Sequence, residues 1–178
     1  EMTNPYATPQ APVADAPAKV EGPVGIGGWL VLPGVGLFVY PVRVAISMLT
    51  DYLPIFRDGV WANLVTPGSE VYHRLWAPVI IGEMAFNLVF LVFDLALLYL
   101  LFTKSHRFPK GFIIFAIANL AFIVGDAAVA WQIPQVAARG MEGLAGEIGR
   151  SLGVVLIWVP YMLVSKRVRN TFRAPESN

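Results

Sequence analysis

Four long apolar stretches alternate with polar segments along the chain. They cover approximately residues 28–49, 78–102, 111–131 and 148–165. Each falls within the length of about 17–25 residues that a helix needs to cross the hydrocarbon core of a bilayer. The pattern predicts an all-α integral membrane protein, with one four-span membrane domain over residues 25–173.

The segments outside this domain have a different composition. Residues 1–24 are rich in Pro and Ala and show no apolar periodicity, which is typical of a disordered tether. Residues 174–178 form a short C-terminal tail. The predicted organisation is therefore a cytoplasmic tail, a membrane domain and a second short tail.

The basic residues predict the orientation of the four helices. Lys104, Arg107 and Lys110 lie between the second and third stretches, and a second basic group follows the fourth stretch. Loops rich in Lys and Arg stay in the cytoplasm. We expect both chain ends inside, with a long outer loop between helices 1 and 2. In the second group, Lys166, Arg167 and Arg169 are expected to anchor the protein on anionic lipid headgroups.

Ionisable residues inside the apolar stretches are the strongest functional signal. Glu83, Asp94 and Asp126 are such residues, and Arg43 is another. A charge at bilayer depth is costly unless it is paired or hydrated, so these side chains should face the bundle interior. The spacing of the polar residues along each helix is consistent with side chains that point to one side of that helix. Glu83, Asn87 and Asp94 fall on one helical face, and so do Asn119 and Asp126.

Counting from the predicted ends of the helices places these residues in two layers. The outer-leaflet cluster is predicted to contain Arg43, Glu83, Asn87, Asp126 and Arg150. A second, deeper polar layer contains Asp94 and Asn119. The outer cluster has two interpretations: a network of ion pairs and amides that fixes helix register, or a site for transport, ligand binding or catalysis.

Glycines, among them Gly27, Gly28 and Gly34, lie at the start of the first stretch, and Pro33 and Pro41 follow further along it. Small residues allow helices to approach closely. A broken helix that lines a cavity is the alternative, because discontinuous helices build many transporter sites. No Lys-Ser/Thr pair follows these glycines, so they do not form a phosphate-binding loop.

Composition excludes several function classes. The chain is 56% hydrophobic and 14% charged, carries a net charge of +1 and has no cysteine. Nucleic acid is therefore not an expected partner, and thiolate chemistry is absent. His73 and His106 are predicted on opposite sides of the membrane, so they cannot share a metal ion. No hydrolase or nucleotide-binding pattern occurs, and we expect neither an enzyme nor a cofactor.

Several short motifs together resemble a bacterial family. They are Gly27-Gly28-Trp29-Leu30 in the first stretch, Glu83 with Asn87 in the second, Arg150-Ser151 and Trp158-Val159-Pro160-Tyr161 in the fourth, and Ser165-Lys166-Arg167-Val168-Arg169-Asn170-Thr171-Phe172 after it. The chain is similar, over about residues 25–173, to the domain of unknown function 2569 family. This resemblance implies a four-span protein of the bacterial inner membrane and supplies no activity.

These observations favour a non-enzymatic accessory or scaffold subunit that binds a membrane-protein partner or forms a homo-oligomer. A small oligomeric transporter or proton-linked carrier that uses Glu83 and Asp126 is the main alternative. A lipid-acting enzyme, in which Arg43 and Arg150 hold a phosphate, is a third. The three hypotheses differ in what they require of the outer cluster.

Overall fold

The computed structural model describes residues 22–173. Within this range the prediction of four apolar membrane-length helices is confirmed. They are Gly28–Arg57, Trp76–Phe102, Phe108–Ala130 and Glu142–Val164. The tail predicted for residues 1–24 lies outside the described residues up to residue 21, as does the short tail at residues 174–178.

The first of these helices is a composite. It begins with the 3₁₀ turn Gly28–Leu30, continues as α1 (Val31–Ser47), widens into the π-helical segment Met48–Tyr52 and ends as α2 (Leu53–Arg57). The Ser47 and Thr50 hydroxyls both donate to the Asp51 carboxylate, at 2.6 and 2.8 Å. These polar side chains therefore form hydrogen bonds within the helix, and the helix continues past the predicted boundary at residue 49.

The remaining elements complete the chain in order. They are α3 (Val60–Val65), α4 (Trp76–Phe102), α5 (Phe108–Ala130), α6 (Pro134–Ala137), α7 (Glu142–Val164) and α8 (Lys166–Thr171). Pro109 lies in the first turn of α5, where its missing N–H costs nothing. Ser165 separates α7 from α8, and its hydroxyl accepts from the Val168 N–H as an N-cap.

Consecutive long helices pack against each other: α1 on α4, α4 on α5, and α5 on α7. Because they alternate in direction, the bundle has two ends. We call the end where α1 begins the terminal end, and the opposite end, where α2 and α3 lie, the loop end. The main core lies nearer the terminal end and includes the fully buried Leu30, Leu97, Leu101, Phe108 and Val168.

Cross-helix contacts fix which residues share a level. Between α1 and α4, Gly34 lies against Leu101 and Tyr52 bonds Glu83. In an antiparallel pair these two contacts define one register, which places Arg43 level with Val92. Since α4 covers Trp76–Phe102, Arg43 is near the middle of the bundle and not near its loop end.

Candidate functional site

A tyrosine from the π-helical segment reaches the first of the intramembrane carboxyls. The Tyr52 hydroxyl donates to Oε2 of Glu83 at 2.7 Å, and both side chains are half-buried. Sequence reasoning missed Tyr52 because it placed this residue in the outer loop. The widened turn of a π-helix frequently occurs at functional positions, and here it brings a hydroxyl to α4.

Glu83 also meets a second carboxyl. Asp126 on α5 and Glu147 on α7 are both close enough to Glu83 to interact with it electrostatically. We call Glu83, Asp126 and Glu147 the carboxyl cluster. Three carboxyl groups from three different helices therefore lie near one another at the loop end.

The two arginines predicted for this cluster form no ion pair with its carboxyls. Among the described residues the ion pair within 4.0 Å joins Arg57 to Asp58, at 2.7 Å, and neither Arg43 nor Arg150 forms one. Both are exposed. Arg43 is separated from Glu83 along the bundle axis, since its level on α4 is that of Val92. The structure thus brings Glu83 and Asp126 together without either arginine.

The two asparagines take different roles. The Asn119 side-chain amide donates to the Ser151 hydroxyl at 3.2 Å, which links α5 to the buried side of α7. Asn87 is half-buried one turn from Glu83 and makes no side-chain hydrogen bond within residues 22–173. The Asn119–Ser151 pair is a contact of the kind that holds membrane helices in register.

Asp94 is the most deeply buried ionisable side chain of the described range. Its exposed fraction is 0%, and neither carboxyl oxygen has a hydrogen-bond partner. Its helical neighbours Phe90 and Leu97 belong to the main core, and Tyr40 of α1 lies within electrostatic range. Asp94 and Asn119, predicted in one layer, form no hydrogen bond with each other.

Aromatic rings fill the space between the carboxyl cluster and Asp94. Phe86 stacks on Phe122 with ring centroids 3.5 Å apart and on Phe90 at 3.9 Å, and Phe90 packs on Phe115 at 5.1 Å. We call Phe86, Phe90, Phe115 and Phe122 the aromatic layer. Phe86, Phe90 and Phe122 lie between the level of Glu83 and that of Asp94, and Phe115 lies beside Phe93 at the level of Asp94, so apolar rings separate the two polar positions.

At the terminal end, α8 folds back onto the start of the first helix. The Gly25 N–H donates to the Thr171 hydroxyl at 2.9 Å, and Arg167 donates to the Gly25 carbonyl at 3.4 Å. A Cβ added to Gly27 would lie 3.0 Å from the Arg167 guanidinium, so glycine leaves room for this side chain. We call Gly25, Arg167 and Thr171 the terminal clasp. Gly27, Gly28 and Gly34 therefore make room for side chains packed against them, and the helix continues through Gly34 unbroken.

The clasp separates the basic residues of α8 into two groups. Arg167 is half-buried against the glycines, whereas Lys166 and Arg169 are exposed. The exposed pair keeps its predicted role as an anchor for lipid headgroups, and that role stays a prediction.

The described residues also contain an open apolar groove at the loop end. It lies between α5 and α7 and has a volume of about 380 Å³. Its lining is formed by Val124, Ala127, Ala128, Trp131, Met141, Leu144 and Ile148. No group of three or more His, Asp or Glu residues within the described range is arranged to hold a metal ion.

The four apolar helices and their intramembrane polar residues define a multi-pass membrane protein. The chain belongs to the family described as "Protein of unknown function (DUF2569)", whose model matches residues 23–173. This confirms the resemblance found in the sequence motifs. Comparison with curated proteins and with solved structures gives no match.

Proposed function

We propose that this protein is a non-enzymatic accessory or scaffold subunit of a membrane complex. One observation carries the proposal. Arg43 is exposed on α1, midway along a helix that is long and apolar enough to span a membrane, and it has no ion pair among the described residues. An arginine that faces lipid at this depth costs about 2.5–3.5 kcal/mol or more. A second membrane protein that covers Arg43 would remove this cost.

Arg43 lies within the apolar part of α1, eight residues, or about 12 Å, before Asp51. Its level on α4 is ten residues from Phe102, or about 15 Å. An arginine side chain reaches roughly half that distance when it extends toward the interface. A neighbouring chain is therefore a better explanation than snorkelling.

The packing inside the bundle favours a scaffold function over a carrier function. A carrier needs a route between its polar positions, and the aromatic layer fills the space between Glu83 and Asp94. Asp94 itself has no exposed surface. The conformation described is thus closed between the two levels.

A small oligomeric transporter or proton-linked carrier is the second candidate, and the proximity of Glu83 and Asp126 favours it. Two carboxyls that share a proton can release it when they separate. The test is a pH-jump flux assay on liposomes with wild type and Glu83→Gln. Flux that is lost in the folded variant would establish a carrier.

The bacterial inner membrane is the proposed location, with the terminal end in the cytoplasm. Support comes from the distribution of basic residues. The loop between α4 and α5, with Lys104 and Arg107, lies at the same end of the bundle as α8. One cytoplasmic face would then carry both basic groups. Accessibility labelling of single cysteines in the loop after Phe102 and after Arg57 tests this orientation.

The experiment that tests the accessory function is purification from native membranes at endogenous expression in mild detergent. A native gel with mass spectrometry then identifies what migrates with the protein. A stoichiometric membrane protein that is lost in Arg43→Ala and retained in Arg57→Ala supports the proposal. A homo-oligomer without any other chain contradicts it.

A further inference from the structure

The outward side of α1 carries a continuous exposed stripe. Leu32, Gly36, Val39 and Arg43 recur at helical spacing, and all four are exposed. The buried side of the same helix carries a different set, which includes Pro33, Gly34, Leu37 and Val44. We call Leu32, Gly36, Val39 and Arg43 the arginine face.

We propose that the arginine face binds a transmembrane helix of a different protein, and that this helix places an Asp or Glu opposite Arg43. The proposal rests on the accessory function above and specifies the chemistry of the partner. It has three supports: the charge of Arg43, the shape of α1 at Gly36, and the absence of an exposed acid at the level of Arg43 among the described residues.

Charge is the first support. Arg43 forms no ion pair within residues 22–173, and it lies within electrostatic range of the phenol of Tyr40 on the same helix. A carboxylate on a neighbouring helix is the group that matches a guanidinium in geometry and charge. Inside a membrane such a pair gains from the low dielectric, because no water competes for either group.

Shape is the second support. A Cβ added to Gly36 would have no described atom within 4 Å, so the space beside this residue is open. Gly36 lies seven residues, or about two helical turns, before Arg43 on the same face. A glycine at such a position lets a second helix approach the backbone of α1 closely. The approach would bring the partner within reach of the arginine.

The third support is that the described part of a second copy of this chain exposes no acid at the level of Arg43. At the level of Arg43 the described carboxyl is Asp94, which has no exposed surface. Glu83, Asp126 and Glu147 lie nearer the loop end. Symmetric packing of α1 on α1 would also place Arg43 against its own copy, which repels. The partner is therefore a different chain.

The test uses photocrosslinking in native membranes with the full chain. p-Benzoylphenylalanine replaces Val39 on the arginine face, or Val89, which is 63% exposed on α4, as the control. Mass spectrometry of the Val39 adduct should identify a spanning segment of another membrane protein that contains Asp or Glu. The control position should not give this adduct.

Charge exchange then tests the pairing itself. Arg43→Glu should reduce the recovered partner about tenfold or more, and replacing the mapped acid by Arg should restore it. Arg57→Glu, on the same helix outside the arginine face, should leave recovery unchanged. Because Arg43 is exposed, both variants should elute as folded protein, and Arg43→Ala provides a second variant that adds no charge.

The possible outcomes separate the two proposals. A Val39 adduct on a segment without an acid overturns this inference and leaves the accessory function standing. A partner that is captured only through another surface has the same consequence. The same holds if the partner is still recovered with the Arg43→Glu variant. An adduct with lipid alone, or with a second copy, also overturns the inference. If no other chain associates with the protein at all, both proposals fail.

Discussion

The Tyr52 hydroxyl donates to the Glu83 carboxyl across 31 residues of sequence, at 2.7 Å. This bond joins the π-helical segment to α4 at the level where Glu83 also meets Asp126. The aromatic ring of Tyr52 fills part of the space beside the carboxyl cluster, so the residue acts on both packing and charge. Its hydroxyl can be removed without removing the ring.

Tyr52→Phe should therefore lower the free energy of unfolding by about 1–2 kcal/mol, because Glu83 stays half-buried and loses a donor. Unfolding in mixed detergent micelles measures the change. Tyr99→Phe, at a position 68% exposed on α4, is the matched control and should stay within about 0.5 kcal/mol. Combining Tyr52→Phe with Glu83→Gln should cost less than the sum of the single variants. Additive losses would show that the bond contributes nothing.

Asp94→Val is expected to leave stability unchanged or to raise it by about 1–3 kcal/mol. The carboxyl is fully buried and both of its oxygens lack partners, so an apolar side chain of similar size removes a desolvation cost. The same micelle unfolding assay measures this, with Val92→Ala on the exposed side of α4 as the control. A large loss of stability in Asp94→Val would mean that Asp94 has a partner in the membrane.

Gly111→Ala should destabilise the protein by about 1–3 kcal/mol. An added Cβ would lie 2.9 Å from Cδ2 of Leu97, whose side chain is fully buried and cannot move freely. Gly125→Ala tests the same exchange on the same helix, where nothing lies within 4 Å. It should stabilise α5 by about 0.5–1 kcal/mol through helix propensity. Equal effects at the two positions would contradict this close packing of α4 on α5.

Thr171→Val should open the terminal clasp. The change keeps the size of the side chain and removes both the acceptor of the Gly25 N–H and the longer bond that the hydroxyl donates to the Gly25 carbonyl. Losing a bond of this kind costs about 1 kcal/mol, so hydrogen exchange over residues 22–28 should accelerate about fivefold or more. Thr103→Val is the control, because its exposed hydroxyl bonds only carbonyls of its own helix. Unchanged exchange in Thr171→Val would show that the clasp does not hold this segment.

The sequence predicted the four helices because apolar length is a local property. It also predicted the common direction of Glu83 and Asp126, since helical spacing settles which face a residue occupies. The level of Arg43 against α4 could not be read from the sequence. The prediction ended the first helix at residue 49, whereas the helix continues to Arg57, and its contacts with α4 place Arg43 at the level of Val92 and not of Glu83.

The features that could not be predicted from the sequence depend on contacts between residues that are far apart in the chain. Tyr52 can be predicted as a hydrogen-bond partner of Glu83 only if the segment after Leu49 is known to be helical. Arg167 was interpreted as a membrane anchor, and its contact with Gly25 spans 142 residues, beyond any local pattern. The phenylalanines of the aromatic layer were visible in the sequence, but their stacking depends on the register of α4 against α5.

The terminal clasp also bears on how the protein is made. Gly25 leaves the ribosome early, and its partner Thr171 follows 146 residues later. The first helix is therefore synthesised before the other three, and its contact with α8 can form only after they have been made. Contacts of such sequence separation form late in folding. A chain that stops before α8 leaves the Gly25 amide without Thr171, so closure of the clasp marks a chain that has been translated through α8.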